Sequence, residues 1–297
     1  RQPEWSLDYY FSKGAEQSYV KTSGIHHCYQ DISALWSYID EHLVPLSLLC
    51  PESVRLWPVG SCSSIISHFA LWPSLASLKY DVRDIDSELE TVKSMWENLK
   101  EASEFPFRSL AIYVPIHALQ PAPLCDVIKR YTSLTAIDLN CKLDQFGSDI
   151  CSSLFEVLSL LPLKRLMISS NLQCSGISLP PMPELEFLKL YLVDDKPPSF
   201  SNWHLPTLAM LSILGVSKNT LYDILVHVPL TLTHISLISR DYAKSSFSAE
   251  QELAWINRLK QMTQLQVLKA SVRLSTHFLE EWCAWLPTAA LTQFPDQ

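Results

Sequence analysis

The chain has 297 residues, a net charge of −8 and a hydrophobic content of 47%. This length and apolar content are sufficient for a large buried core, and the acidic balance gives no support for a nucleic-acid-binding surface. Nucleotide-binding folds are disfavoured because the six glycines are scattered and form no phosphate-binding loop. No catalytic motif and no long apolar run is present, so we expect a non-enzymatic protein without cofactor, metal or membrane span.

The first 60 residues are rich in aromatic side chains, and residues 1–60 are interpreted as a linker or capping segment. The chain begins at Arg1 and shows no signal peptide, so a fragment of a longer protein is expected. His26, His27 and Cys28 could belong to a metal site, but no further ligands follow at a suitable spacing. A polar linker is the favoured interpretation of this stretch.

Residues 61–297 repeat a pattern with apolar side chains at positions 1, 4 and 6. The alternation is that of a half-buried strand, so these positions should face the core and the intervening ones should face outward. Eight repeats begin at Leu75, Phe107, Leu134, Leu163, Leu185, Leu208, Leu232 and Leu265. Their starts lie 22 to 33 residues apart, close to the roughly 20–29 residues of leucine-rich repeats. The pattern predicts an α/β leucine-rich-repeat solenoid, or horseshoe, with a parallel inner sheet and a mostly helical convex side. An ordinary mixed α/β domain is the alternative.

The stretches between the repeats have helical periodicity, and six prolines precede repeat starts by one to three residues. Proline cannot continue a helix, so it separates each helix from the next strand. The helical faces are Leu89, Val92, Trp96 and Leu99; Leu154, Leu158 and Leu161; Leu221, Ile224, Leu225 and Val228; Leu253, Ile256 and Leu259; and Phe278, Trp282 and Trp285. Ser248 and Gln251 are predicted to form a capping box.

The eight cysteines form no C-x-x-C pair, and no N-x-S/T glycosylation sequon occurs. A chain of this size does not need disulfides to fold, so we expect free, mostly buried thiols. Four disulfides are the alternative. Free thiols and the missing sequon favour an intracellular protein of the cytoplasm or nucleus.

The segment from Ile32 to Trp57 reads ISALWSYIDEHLVPLSLLCPESVRLW. Its Leu35-Trp36 pair, its proline-leucine stretch from Pro45 to Leu49 and its final tryptophan resemble the region after the F-box in basidiomycete F-box proteins. In those proteins this region leads into an irregular leucine-rich-repeat array. The PELEFLKLYL stretch, with proline ahead of a leucine-rich strand, is similar to those arrays as well.

The resemblance implies that the repeats select a protein substrate for ubiquitin ligation. It also implies that an F-box contacts the Skp adaptor and the cullin scaffold, yet no F-box is recognised before Ile32. Two alternatives remain open. The chain could be an intracellular scaffold or effector unrelated to ubiquitin, or an enzyme with a cryptic site, although no motif supports the latter.

The alternation of the strands defines a concave face on which a protein partner should bind. Arginine, methionine and aromatic residues are enriched at protein interfaces. The candidate residues are Arg165, Met167, Phe187, Lys189, Tyr191 and Met210. Asp194, Asp195 and Asp241 are interpreted as solvated turn residues, and Cys141 and Cys174 as core residues, so none of these is assigned to a site.

Overall fold

The computed structural model describes residues 5–12, 15–22, 25–29, 53–57, 66, 69–71, 75–81, 89–114, 121–141, 148–172, 179–192, 204–239, 247–271 and 275–285. The chain divides into two compact units, Arg1–Lys142 and Leu143–Gln297. Each unit is an α/β arrangement of strands and helices.

The first unit contains a sheet with parallel and antiparallel parts. Its strands are β1 (Trp5–Ser12), β2 (Ala15–Thr22), β3 (Ile25–Tyr29), β4 (Ser53–Trp57), β5 (Ser77–Asp81), β6 (Ser109–Val114) and β7 (Ala136–Cys141). Its helices are α1 (Leu89–Ala102) and α2 (Pro121–Ile128), with a 3-10 turn at Phe69–Leu71. Strands β4 to β7 are parallel and lie side by side in chain order. Strand β1 extends this parallel set next to β4, and β2 and β3 continue from it in antiparallel pairs.

The sequence pattern predicts a linker or capping segment for residues 1–60 and no strand there, whereas the structure has the strands β1 to β4 in this range. His26, His27 and Cys28 lie within β3, so the polar-linker interpretation of this stretch is wrong. A sequence signal was available. Gly14 and Gly24 each stand in a two-residue gap between runs rich in aromatic and β-branched residues, which is typical of hairpins.

The second unit contains a parallel sheet of five strands in chain order. They are β8 (Arg165–Leu172), β9 (Phe187–Leu192), β10 (Met210–Val216), β11 (His234–Ser239) and β12 (Val267–Ser271). The helices of this unit are α3 (Ser148–Ser159), α4 (Lys218–His227), α5 (Ala249–Gln261) and α6 (Thr276–Trp285). Helix α5 packs against both α4 and α6.

All eight predicted repeats contain a strand, from β5 to β12. In the first seven repeats the apolar side chains at positions 1, 4 and 6 are all buried. In the last repeat Leu265 is buried, whereas Leu268 and Ala270 are half-buried. The predicted α/β class, the parallel sheet and the phase of the strands are therefore confirmed.

One hydrogen-bond arrangement recurs where neighbouring repeats meet. The carbonyl oxygen at position 2 of one repeat accepts hydrogen bonds from two consecutive N–H groups, at positions 2 and 3 of the next repeat. The accepting residues are Ala76, Arg108, Lys164, Glu186, Ala209 and Thr233. The twelve N···O distances lie between 2.8 and 3.1 Å. This double acceptor therefore fixes the same register at six junctions, two in the first unit and four in the second.

Helix α5 begins with the predicted capping box. The Ser248 hydroxyl accepts from the backbone N–H of Gln251, and the Gln251 side chain accepts from the backbone N–H of Ser248. The predicted buried face of the helix is partly wrong, because Leu253 is 57% exposed while Trp255 is fully buried. The inward face consists of Glu252, Trp255, Ile256 and Leu259, at the i, i+3, i+4 and i+7 spacing of a helical stripe.

The burial of Glu252 has a clear structural reason. Its carboxylate accepts hydrogen bonds from the backbone N–H of Ser275, at 2.9 Å, and from the Ser275 hydroxyl. The same hydroxyl accepts from the backbone N–H of Phe278 in the first turn of α6. Glu252 thus holds the residue that caps the next helix, because the orphan N–H groups of a helix start need acceptors.

The helices of the second unit enclose an aromatic cluster around Trp255. The ring of Trp255 lies 5.3 Å from Phe247 and 5.1 Å from Phe278, measured between ring centres.

In the first unit the buried Tyr131 hydroxyl donates to the Leu99 carbonyl at 2.7 Å, and burial raises the pKa of Tyr131. This hydrogen bond, like the contact between Trp255 and Phe278, joins residues that lie far apart in the sequence.

The described cysteine side chains are buried. Cys125 in α2 is a free thiol, as predicted for the cysteines in general. Burial raises the pKa of the Cys125 thiol, the charge of Lys129 lowers it, and the charge of Asp126 raises it. Among the helices of the described residues, none combines the length and apolar character needed to cross a bilayer.

Candidate functional site

The outward face of the second unit's sheet consists of three rows of side chains that run across the strands. The strand register aligns the first row as Arg165, Phe187, Met210, His234 and Val267. The second row is Met167, Lys189, Ser212, Ser236 and Lys269, and the third is Tyr191, Leu214, Ile238 and Ser271. The leucines and isoleucines between these positions point into the core because side chains alternate along a strand.

All six candidate residues from the sequence lie in these rows. Arg165, Tyr191 and Met210 are exposed, and Met167, Phe187 and Lys189 are half-buried. The structure therefore brings the six together on one face of the neighbouring strands β8, β9 and β10. We refer to the face that carries the three rows as the outer face of the second sheet. Their role in binding a partner stays a prediction.

The first row contains a cation–π contact. The guanidinium carbon of Arg165 lies 4.5 Å from the centre of the Phe187 ring, and an Arg165 nitrogen lies 3.2 Å from the Met167 sulfur. Met210 is aligned with Phe187 on the next strand. An arginine stacked on a half-buried ring holds both side chains in place, so less conformational entropy is lost when a partner binds.

Large apolar side chains are unusually exposed on this face. Tyr191 is 39% exposed, Met210 37% and Ile238 44%. These are three of the six exposed large hydrophobic residues in the described part of the chain. Clustered exposure of this kind marks interaction sites, whereas single exposed residues do not.

Gly215 sets the position of Tyr191. The register of β10 against β11 shifts between Leu214 and Val216, and Gly215 in this bulge has φ of 79°. A Cβ at Gly215 would lie 3.3 Å from Cζ of Tyr191 and only 2.6 Å from the carbonyl oxygen of Leu192. The ring of Tyr191 therefore lies directly against the glycine backbone. This bulge was not predicted, although a glycine inside a strand pattern is a signal for one.

The charge of the outer face is the opposite of the charge of the chain. The three rows contain Arg165, Lys189 and Lys269 and no aspartate or glutamate, whereas the chain has 31 acidic and 23 basic residues. None of the ion pairs between described residues involves Lys189 or Lys269. The positive charge of this face is therefore not neutralised by the described side chains.

The sheet of the first unit differs in this respect. Lys79 on β5 lies with its Nζ atom 4.1 Å from the centre of the Tyr113 ring. The Tyr113 hydroxyl donates a hydrogen bond to the carboxylate of Asp138 on β7. A basic and an acidic side chain of this sheet are thus linked through one tyrosine.

The remaining candidates give no second site. Asp194, Asp195, Asp241 and Cys174 lie outside the described residues, as does the side chain of Cys141 at the end of β7. Within the described part of the chain, no group of three or more histidine, cysteine or acidic side chains could hold a metal ion. Comparison with protein-family models finds no matching family, and comparison with curated proteins also finds no match.

Proposed function

We propose that this chain is a leucine-rich-repeat protein that binds another protein on the outer face of the second sheet. The eight phased repeats, the parallel strands in chain order and the double acceptor at six junctions support the repeat assignment. A solenoid built from such repeats exposes a continuous sheet face, which is the usual binding surface of repeat proteins.

The observation that carries the proposal is the composition of the face. Arginine, tyrosine, phenylalanine and methionine stand side by side on it and are partly exposed. Tyrosine and arginine are enriched among the residues whose truncation costs most binding free energy, and phenylalanine and methionine are enriched at protein interfaces.

The ubiquitin-ligase role is the more specific part of the proposal. It rests on the resemblance of Ile32–Trp57 to the region after the F-box in basidiomycete F-box proteins. In this reading the repeats bind the substrate, and an F-box elsewhere in the protein recruits the Skp adaptor and cullin. A scaffold or effector without an F-box would use the same face without any link to ubiquitin.

A photo-crosslinking experiment tests the recognition role. Benzoylphenylalanine placed at Ser236, in the middle of the face, should capture a protein partner in cell extract. The same probe at Asn257, an exposed position of α5, serves as the control. Tyr191→Ala should weaken capture at Ser236, since loss of an aromatic anchor costs about 1–3 kcal/mol of binding free energy. The proposal fails if Ser236 and Asn257 capture the same proteins, or if Tyr191→Ala changes nothing.

The isolated chain should not bind the Skp adaptor. The described residues between Trp5 and Tyr29 form strands β1 to β3, whereas an F-box is a helical module. A pull-down with purified adaptor checks this prediction, and a longer product of the same gene that includes an F-box is the positive control. Stable one-to-one binding by the isolated chain would mean that an adaptor-binding element lies within these 297 residues.

A further inference from the structure

We propose that the outer face of the second sheet recognises an extended segment of its partner that carries two carboxylates about four residues apart, with apolar residues between them. The inference rests on the proposed protein-binding function and specifies the chemistry of the partner. It follows from the charge of the face and from the arrangement of its middle row.

The charge of the face selects an acidic partner. Its three basic residues have no acidic neighbours in the rows, in a chain whose net charge is −8. Complementary charges raise association rates and exclude partners of the same sign. A basic segment would be repelled by Lys189 and Lys269, and a neutral segment would leave these two ammonium groups without a counter-charge.

The middle row forms a trough. Its central residues, Ser212 and Ser236, have short side chains and are half-buried. Larger residues flank them on both sides, with Met210 and His234 in the first row and Leu214 and Ile238 in the third. An extended peptide that crosses the strands can therefore lie over the serines and place its apolar side chains against both flanks.

Lys189 and Lys269 stand at the two ends of this trough. They belong to the same row and are separated by the strands β10 and β11. With strands about 4.8 Å apart, their Cα atoms lie roughly 14 Å from each other. An extended segment rises about 3.3 Å per residue, so residues i and i+4 span this distance and point to the same side. Carboxylates at i and i+4 can thus reach both lysines.

The first unit explains why the inference is restricted to the second sheet. In the first unit, Lys79 on β5 and Asp138 on β7 stand in one register row, so a basic and an acidic residue share this face. Lys79 and Asp138 are also linked through Tyr113. A balanced face of this kind gives no preference for an acidic partner.

Peptide arrays test the inference with the complete chain. One set of nonapeptides has glutamate at positions 3 and 7 and varied leucine, valine, phenylalanine and tyrosine elsewhere. Matched sets carry glutamine or lysine at these two positions, and a spacing control carries glutamate at positions 4 and 6. The peptide that binds best is then titrated by fluorescence anisotropy against the unmodified chain, Lys189→Glu, Lys269→Glu and Arg130→Glu. Arg130 is exposed and lies in the first unit.

We expect the set with glutamate at positions 3 and 7 to bind best. Lys189→Glu and Lys269→Glu should each weaken binding by roughly tenfold or more, because a like charge replaces a complementary one. Arg130→Glu makes the same change in net charge at a residue outside the three rows and should leave the affinity nearly unchanged. Binding should also weaken as the salt concentration rises.

Three results overturn the inference. If the glutamine set binds as well as the glutamate set and Phe187→Ala abolishes both, the charge argument is wrong while the proposed function stands. If no set binds, or binding ignores every substitution on the face, both fail. If an oligouridine competes with the peptides and binds more tightly with the same dependence on Lys189 and Lys269, the face recognises nucleic acid instead.

Discussion

Leu188→Ala should lower the free energy of unfolding by about 2–5 kcal/mol, because it opens a cavity in the core of the second unit. Leu188 is fully buried in β9 and is aligned with Leu166 on one side and Leu211 on the other, both of them buried as well. Packed strands cannot collapse into the gap, so most of the lost contact is not recovered. Urea denaturation followed by circular dichroism measures the change.

Two neighbouring substitutions are matched controls for Leu188. Phe187→Ala and Tyr191→Ala remove larger side chains from the opposite face of the same strand, and each should cost about 1 kcal/mol or less of stability. The same two variants should bind the partner less well, whereas Leu188→Ala should bind normally under conditions in which it is folded. If Phe187→Ala unfolds the chain and Leu188→Ala does not, the assignment of the two faces is reversed.

Trp255→Ala should be the most destabilising change in the helical layer of the second unit, by about 3–5 kcal/mol. Trp255 is fully buried and contacts the rings of Phe247 and Phe278. Trp255→Phe should cost much less. It keeps an aromatic ring in the cluster and removes the buried indole N–H, which has no hydrogen-bond partner in the described structure. Thermal melts of the two variants separate ring volume from polarity.

Leu253→Ala is the control for Trp255 on the same helix. Leu253 is 57% exposed, so its truncation should change the free energy of unfolding by no more than about 0.5 kcal/mol. A large loss of stability for Leu253→Ala, together with a small loss for Trp255→Ala, would mean that the helix is rotated relative to the structure. In that case the face predicted from sequence would be correct.

The strands were predictable because their pattern is short and strict. Apolar residues at positions 1, 4 and 6 leave only one strand phase that buries them all, and a shift by one residue would expose them. The pattern therefore predicts correctly that Leu166, Leu188 and Leu211 are buried. It also predicts that Arg165, Phe187 and Met210 lie on the opposite face.

The face of α5 was harder to predict because helical periodicity is less strict. Leu253, Ile256 and Leu259 are spaced by three, so they drift around a helix of 3.6 residues per turn. The true inward face includes Glu252, whose burial depends on a hydrogen-bond partner at Ser275. A partner that lies 23 residues further along the chain cannot be inferred from the local pattern.

The details of the candidate site were only partly predictable. The sequence placed Arg165 and Phe187 on one sheet, but the stacking of the two side chains depends on the register between β8 and β9. The bulge at Gly215 and its contact with Tyr191 depend in turn on the register of β10. The absence of acidic residues from the rows that contain Lys189 and Lys269 depends on the register between the strands.

The double acceptor at the repeat junctions has a consequence for how this protein can change in evolution. Each junction is fixed at the start of the strands, so the stretch that leads from one strand to the next can vary while the register of the sheet stays the same. Within the second unit, successive repeat starts are separated by 22, 23, 24 and 33 residues, yet the same carbonyl position accepts the same two N–H groups. A whole repeat, such as the one that begins at Leu185 and ends before Leu208, is therefore an interchangeable unit. Its duplication or deletion would widen or narrow the binding face by one strand and would leave the junction chemistry of its neighbours unaltered.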